Sequence, residues 1–393
     1  MDLEAGAARA RASGVTQGTI SKHSSGWNLW LEFLGRVEHY GSPFLDGLDE
    51  AARLRLCGAF MHAKRRGDLG KRASTRQIQS GTARAALDSV AATFVEHYRD
   101  SPILDSRGKI HLHIRRQTAG YKRFDPPKKH EKAMPPVVFR YRLRMALHKR
   151  ARARAHLLGG AVFFAMRSCE YTSVGTADRK TRPIQVGDIT FMIGNTIIPH
   201  SHPDLHRADS VSINFGDQKS DIRNEEVTQF SNDDPEFNPV IHWAETVRRI
   251  RSYPGFHPSW EVFTFFDDNG FSSITSKEIL ADIRAAVRAI GPRILGFTSK
   301  DVGTHSVRSS FAMMAYLAKE PVYTIMLIGR WSSTAFLNYI EPQIKEFTKG
   351  VSSRMLANET FFHVSGSRTG ADTTTTDREV FGRQGSLRQR LRA

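Results

Sequence analysis

Apolar residues recur at helical spacing through the first quarter of the chain. Ile20, Trp27, Leu31 and Leu34, with Trp30 beside them, predict an amphipathic helix from Thr19. Gly41, Pro43 and Gly47 break that pattern, and Leu48 to Ala63 predicts a second helix with Ala52, Leu56 and Phe60 on one side. Ser74 and Gln77 have capping-box spacing ahead of a third, whose later apolar face is Ala86, Val90, Phe94 and Tyr98. The opening residues 1–14, alanine-rich and charged, predict a loose arm. Residues 15–118 thus predict an all-helical domain.

The stretch YKRFDPPKKHEKAMPP, with paired prolines and with Lys128 and Lys129 among its charges, predicts an extended linker over 119–136. A very basic helix follows from Val137 to Leu158. The period then changes. Ile189, Phe191 and Ile193 alternate, as do Val211, Ile213 and Phe215, and Glu226 to Phe230 can return antiparallel. Val262 to Phe266 is strand-like and leads into a turn at Asp267–Gly270. Helical spacing resumes over Pro239–Arg251 (Val240, Trp243, Val247, Ile250) and Ser276–Ile290 (Ile279, Ile283, Val287, Ile290). The fold class expected is mainly α with a small antiparallel β-sheet.

Composition changes this picture in one respect. A 40% hydrophobic, 25% charged chain of 393 residues is ordinary for globular domains, but 57 Lys plus Arg against 40 Asp plus Glu leaves a net charge of +17. That excess favours a polyanionic partner, because each phosphate neutralised releases counterions. A merely soluble basic protein is the alternative. Cys57 and Cys169 lie far apart without metal-ligand neighbours, so neither a disulfide framework nor a zinc site is indicated. No apolar run reaches the length of a membrane span, and an intracellular protein is expected. The basic cluster Lys64, Arg65, Arg66, Lys71 and Arg72 reads either as a solvated face or as a phosphate clamp.

Candidate chemistry concentrates between Thr304 and Ile340. His305 and Arg308 are three apart and share a helical face, while Val307, Phe311, Met314 and Ala318 form a separate apolar stripe. Pro321 can start a second helix and Gly329 end it. Ser332 or Ser333 can cap a third that carries Tyr339. Upstream, Arg167 follows the apolar run Val162, Phe163, Phe164 and Met166, with Glu170 three residues on to satisfy or orient its guanidinium.

The order H-x-x-R, then G-R-W, then a tyrosine followed by Ile resembles the C-terminal half of the tyrosine recombinase, or phage integrase, family. The form GRWSS is similar to recombinases of eukaryotic mobile elements of the Crypton and DIRS kinds. The resemblance implies a helical core-binding domain ahead of a catalytic domain over 137–362, with Arg167, Lys219, His305, Arg308, Trp331 and Tyr339 as catalytic residues and Glu170 in support. Lys219 lies in the turn GDQKSDIRN between two expected strands; Lys300, just before His305, is its rival. Tyr323 is the nearest alternative tyrosine and reads as core. Tyr339 stands eight residues after Trp331, where the family more commonly has nine.

The resemblance implies that Tyr339 attacks a DNA phosphodiester to give a 3'-phosphotyrosyl enzyme, with no metal or nucleotide cofactor. It implies double-stranded DNA as partner, contacted by Lys64, Arg65, Arg66, Lys71, Arg72, Lys128 and Lys129. It also implies a homotetramer on two duplexes that exchanges a helix from the 344–362 segment, for which a self-packed helix is the alternative; the location expected is the nucleus in a eukaryote and otherwise the cytoplasm or nucleoid. A type IB topoisomerase-like enzyme and a non-catalytic DNA-binding descendant are the alternatives. Residues 363–393, rich in Ser, Thr, Gly and then Arg, predict a disordered tail.

Overall fold

The computed structural model describes residues 2–70, 77–126, 131–175, 181–216 and 224–340. These divide into two compact units, one up to residue 126 and one from residue 131. Lys71, Arg72, Ser74, Lys128, Lys129, Lys219, the 344–362 segment and the 363–393 tail lie outside the described residues.

The described residues of the first unit form five helices: α1 (Asp2–Ser13), α2 (Gln17–Arg36), α3 (Glu50–Arg66), α4 (Ser80–Glu96) and α5 (Leu112–Arg123). The opening residues are helical rather than a loose arm, as their alanine and arginine content favours. Thr16 and Asp49 cap α2 and α3 by accepting from Thr19 N and Ala52 N. Trp30, Phe33, Leu54, Cys57, Phe60, Leu87, Val90 and Phe94 form the core. The buried face of α2 is therefore rotated from the expected one, leaving Ile20 and Leu31 largely exposed. Tyr98, expected on the α4 stripe, lies beyond the helix at φ 57° and is exposed.

Where a linker is expected from residue 119, α5 continues to Arg123 and its end is tied down. Arg65 is 3% exposed and donates to the Asp125 carboxylate at 2.5 Å, to Ile78 O and to Tyr121 O. Its guanidinium also lies over the Tyr121 ring. Arg65, expected to contact DNA, is thus an internal brace. The Arg65 guanidinium and the Ser80 hydroxyl, with Ser80 first, hold the Asp125 carboxyl below its ordinary value.

The second unit begins as Ala133 and Met134 enter its core. The expected single basic helix is two, α6 (Pro136–Arg144) and α7 (Lys149–Phe163). Its arginines are largely paired: Arg140 with Asp234, Arg144 with Glu236, Arg150 with Glu278, and Arg142 and Arg154 with Asp282. After α8 (Ser168–Tyr171) come β1 (Ile189–Ile193), β2 (Thr196–Ile198), β3 (Ser210–Phe215) and β4 (Glu225–Phe230), an antiparallel sheet in the order β2-β1-β3-β4. The short β2 has no alternation long enough to read from sequence. α9 (Pro239–Arg251) buries Val240, Trp243, Val247 and Ile250 as expected. The hairpin of β5 (Thr264–Asp267) and β6 (Gly270–Ser273) turns at Asp267–Gly270, and α10 (Ser276–Ile290) opens on a Thr275–Glu278 capping box. α11 (Pro292–Leu295) leads to α12 (Ser306–Leu317), α13 (Val322–Gly329) and α14 (Leu337–Ile340). The architecture is mainly α with a small antiparallel sheet. Among the described residues, no helix is long and apolar enough to cross a membrane.

Candidate active site

The site is built where the end of α7 meets the starts of α8 and α12. α7 stops at a sharp bend in which Ala165 takes φ 45°, and this bend turns the backbone carbonyls of Phe164 and Ala165 toward two arginines. Arg167 follows as the N-cap of α8, and Glu170 closes a capping box by accepting the Arg167 backbone N–H at 2.8 Å. The other oxygen of Glu170 accepts from Arg167 Nη1 at 3.0 Å. The three-residue spacing read from the sequence thus pairs the two side chains. The Glu170 carboxylate is 1% exposed, whereas the Arg167 side chain keeps 23% of its surface open.

His305 does not lie within a helix but precedes α12 as its N-cap, exposed, with its backbone N–H donated to Glu131 Oε2 at 2.7 Å. Arg308 differs from expectation. Rather than sharing an open face with His305, it is 2% exposed. Its Nη1 donates to Ala165 O at 2.6 Å and its Nη2 to Gly329 O at 2.7 Å, so it joins the α7 bend to the end of α13. The first turn of α12 is buried all round, with Ser306, Val307, Ser309 and Ser310 enclosed, and Met313 replaces Ala318 on its apolar side. Trp331 lies with its indole over the Arg308 guanidinium, 4.6 Å from Arg308 Cζ to the ring centroid, and beside Phe311 and Phe336.

Gly329 is required here, because a Cβ at this position would fall 1.8 Å from the Trp331 ring. Tyr339 is on α14, which packs against α12, and its neighbours Phe336 and Ile340 belong to the core of the unit. Lys300, the rival lysine, is in the short turn Ser299–Asp301 before His305.

Sequence reading missed Arg330. It ends α13 in the left-handed conformation, φ 55° and ψ 50°, at a cost of about 1–3 kcal/mol for a non-glycine residue. Its side chain is completely buried, donating from Nη2 to Glu170 Oε2 at 2.8 Å and from Nη1 to Phe164 O at 2.9 Å. Its guanidinium lies 3.5 Å from the centroid of the Phe215 ring. Burial pushes the Glu170 carboxyl up, but Arg330, Arg167 and Arg308 more than reverse this and hold it below its ordinary value. Burial in turn pulls Arg330 below the usual arginine range. One signal was available: an arginine between the apolar run of α13 and a tryptophan, nine residues before Tyr339.

Phe215, on whose ring the Arg330 guanidinium lies, is the last residue of β3 and pairs with Glu225, the first of β4.

No protein-family profile and no curated protein matches the sequence. The chain is similar to solved structures of site-specific recombinases and integrases. A post-cleavage complex of the XerH recombinase on palindromic difH DNA is 14% identical with a TM-score of 0.48, over 84% of this chain and 79% of that one. The Tn1549 transposon integrase bound to transposon right-end DNA is 12% identical with a TM-score of 0.46, over 90% and 98%. A lambda integrase dimer on a core site is 11% identical with a TM-score of 0.44, over 86% and 93%.

Proposed function

We propose that the protein is a tyrosine recombinase that cuts and rejoins double-stranded DNA through a 3'-phosphotyrosyl intermediate, as the integrase or transposase of a mobile element. The observation that carries this reading is the convergence of Arg167 and Arg308, far apart in sequence, on one bend, with His305 opening the helix that carries Arg308 and the Tyr339 helix packed on that helix. Charge, order and geometry all suit a phosphodiester.

The chemistry follows from the side chains. Attack on a phosphodiester requires the charge on its oxygens to be neutralised, and planar guanidinium forks match those oxygens where lysine would act only as a point charge. Arg167 is the more open of the two. Arg308 engages once the indole lying on its face moves, and the indole N–H, a donor only, then adds a contact to a phosphate oxygen. The Tyr339 oxygen forms the new bond to phosphorus as the bond to the 5'-oxygen breaks; His305 takes the phenol proton and Lys219 supplies one to the leaving oxygen. A 5'-hydroxyl from another strand reverses the step and completes exchange. Neither metal nor nucleotide enters this scheme.

Lys64, Arg66, Lys71, Arg72, Lys128 and Lys129 remain candidates for DNA contacts. Four copies on two duplexes, with the 344–362 segment of each seated on a neighbour, complete the reading. Tyr323, expected in the core because its helix is apolar, is instead exposed on α13, as Leu327 is in part, and this uncovered apolar surface supports the reading. The test uses a pool of duplexes nicked beside the cut position and randomised in sequence, which traps the covalent intermediate. Wild-type protein forms an adduct stable to denaturation and Tyr339→Phe forms none. Absence of any wild-type adduct contradicts the proposal, and an adduct without joining between duplexes points to a relaxing enzyme instead.

A further inference from the structure

Arg330 takes no part in the chemistry just described, yet several components of the site meet on it. Its side chain is completely buried, so it cannot itself touch a DNA phosphate. Through Nη2 it holds Glu170 Oε2, the same oxygen that accepts the Arg167 backbone N–H, while Glu170 Oε1 accepts from the Arg167 guanidinium. Through Nη1 it holds Phe164 O, one residue before the carbonyl that anchors Arg308. Its face lies on Phe215, at the foot of the hairpin that carries Lys219. Its backbone joins α13 to the segment that leads to Tyr339.

We infer that Arg330 is a positioning residue: a buried hub that aims Arg167 through Glu170 and fastens the nucleophile-bearing segment to the phosphate clamp. This rests on the recombinase reading of the site. The physical requirement is specific to arginine. One rigid plane must donate in two directions, to a carboxylate and to a backbone carbonyl, while its face packs on an aromatic ring. A lysine could satisfy one of these at a time. With Arg330 gone, the Glu170 oxygen it held is released and the carboxylate can turn both oxygens to Arg167, drawing the guanidinium inward and away from the DNA.

The test measures single-turnover adduct formation by the full chain on a nicked duplex selected by the wild type, together with DNA affinity. The same duplex is also made with a neutral methylphosphonate at the scissile position, which lessens the demand for Arg167. Arg330→Lys is expected to bind DNA as the wild type does but to form adduct about 10- to 100-fold more slowly, the loss typical of a misplaced catalytic group. That deficit should contract on the methylphosphonate duplex. The double variant Glu170→Gln, Arg330→Met, which removes both charges together, should lose less than the separate losses of Glu170→Gln and Arg330→Met combined.

The inference is overturned if Arg330→Lys cleaves at the wild-type rate, if its deficit is the same on both duplexes, or if the double variant shows the two losses added. Should Arg330→Lys fail to fold, the double variant decides by the same additivity criterion. Adduct formation by wild type with normal cleavage by Arg330→Lys removes the inference and leaves the reading intact. A wild type that forms no adduct removes both.

Discussion

Three arginines and one glutamate illustrate what single residues disclose. Arg167 and Glu170 pair as their spacing implies, because a three-residue separation across a helix N-cap is a local property. The role of Arg65 is not legible locally, because its partner Asp125 lies 60 residues on and nothing nearby distinguishes a braced arginine from a solvated one. Glu170 is the most informative residue to titrate. Its carboxyl is held below its ordinary value, so its stabilising effect is complete above a pH of about 4.3 and is lost as pH falls below that toward its folded pKa. Glu170→Gln should lower unfolding free energy at neutral pH by about 3–5 kcal/mol, since it leaves Arg330 buried without its counter-charge. Urea midpoints measured from pH 7 to pH 3 should show the gap between wild type and variant narrowing in acid. A gap independent of pH would deny that the carboxylate is ionised in the fold. Gly329→Ala should dislodge the indole from Arg308 and slow adduct formation by about 10-fold or more, by the same misplacement argument; a rate equal to wild type would deny the indole a role.

At the scale of elements, α7 and α9 approach closely because Gly159 and Gly160 face His242 and Trp243. A Cβ at position 160 would fall 2.8 Å from the Trp243 ring. Gly160→Ala gains about 1 kcal/mol of helix propensity but meets an overpacking penalty of about 1–3 kcal/mol. The penalty should win, and a lowered thermal midpoint checks it. On the same interface, burial pushes His242 down to about 3, so it is neutral in the fold. The unfolded chain takes up that proton below about pH 6.5 and the fold does not, so stability is complete above that pH and declines toward pH 3 by up to about 1.4 kcal/mol per pH unit. His242→Gln should flatten this acid slope, seen as a smaller change in urea midpoint between pH 7 and pH 5. The elements most legible in the sequence were α9, α10 and the β3–β4 pairing, whose patterns are unbroken. The division of the basic stretch into α6 and α7 was not legible, because the acids that pair with its arginines lie at Asp234, Glu236, Glu278 and Asp282. The rotated face of α2 likewise depends on which side α4 covers, a tertiary choice.

For the whole molecule, the net charge of +17 suits the polyanionic partner proposed above, although the pairing of the α6 and α7 arginines shows that the excess is not spread evenly over its basic stretches. The sequence order of Arg167, Lys219, His305, Arg308 and Tyr339 suggested one site. The fold brings Arg167 and Arg308 to the bend after α7, places His305 at the start of the Arg308 helix, and adds Arg330, which pairs with a carboxylate 160 residues away. The central claim is that Tyr339 becomes bonded to a DNA 3'-phosphate. It is tested most directly by digesting the trapped adduct with protease and nuclease and sequencing the modified peptide by mass spectrometry. A nucleotide attached through its 3'-phosphate to Tyr339 is expected; attachment at Tyr323 or any other residue, or through a 5'-phosphate, would contradict that chemistry.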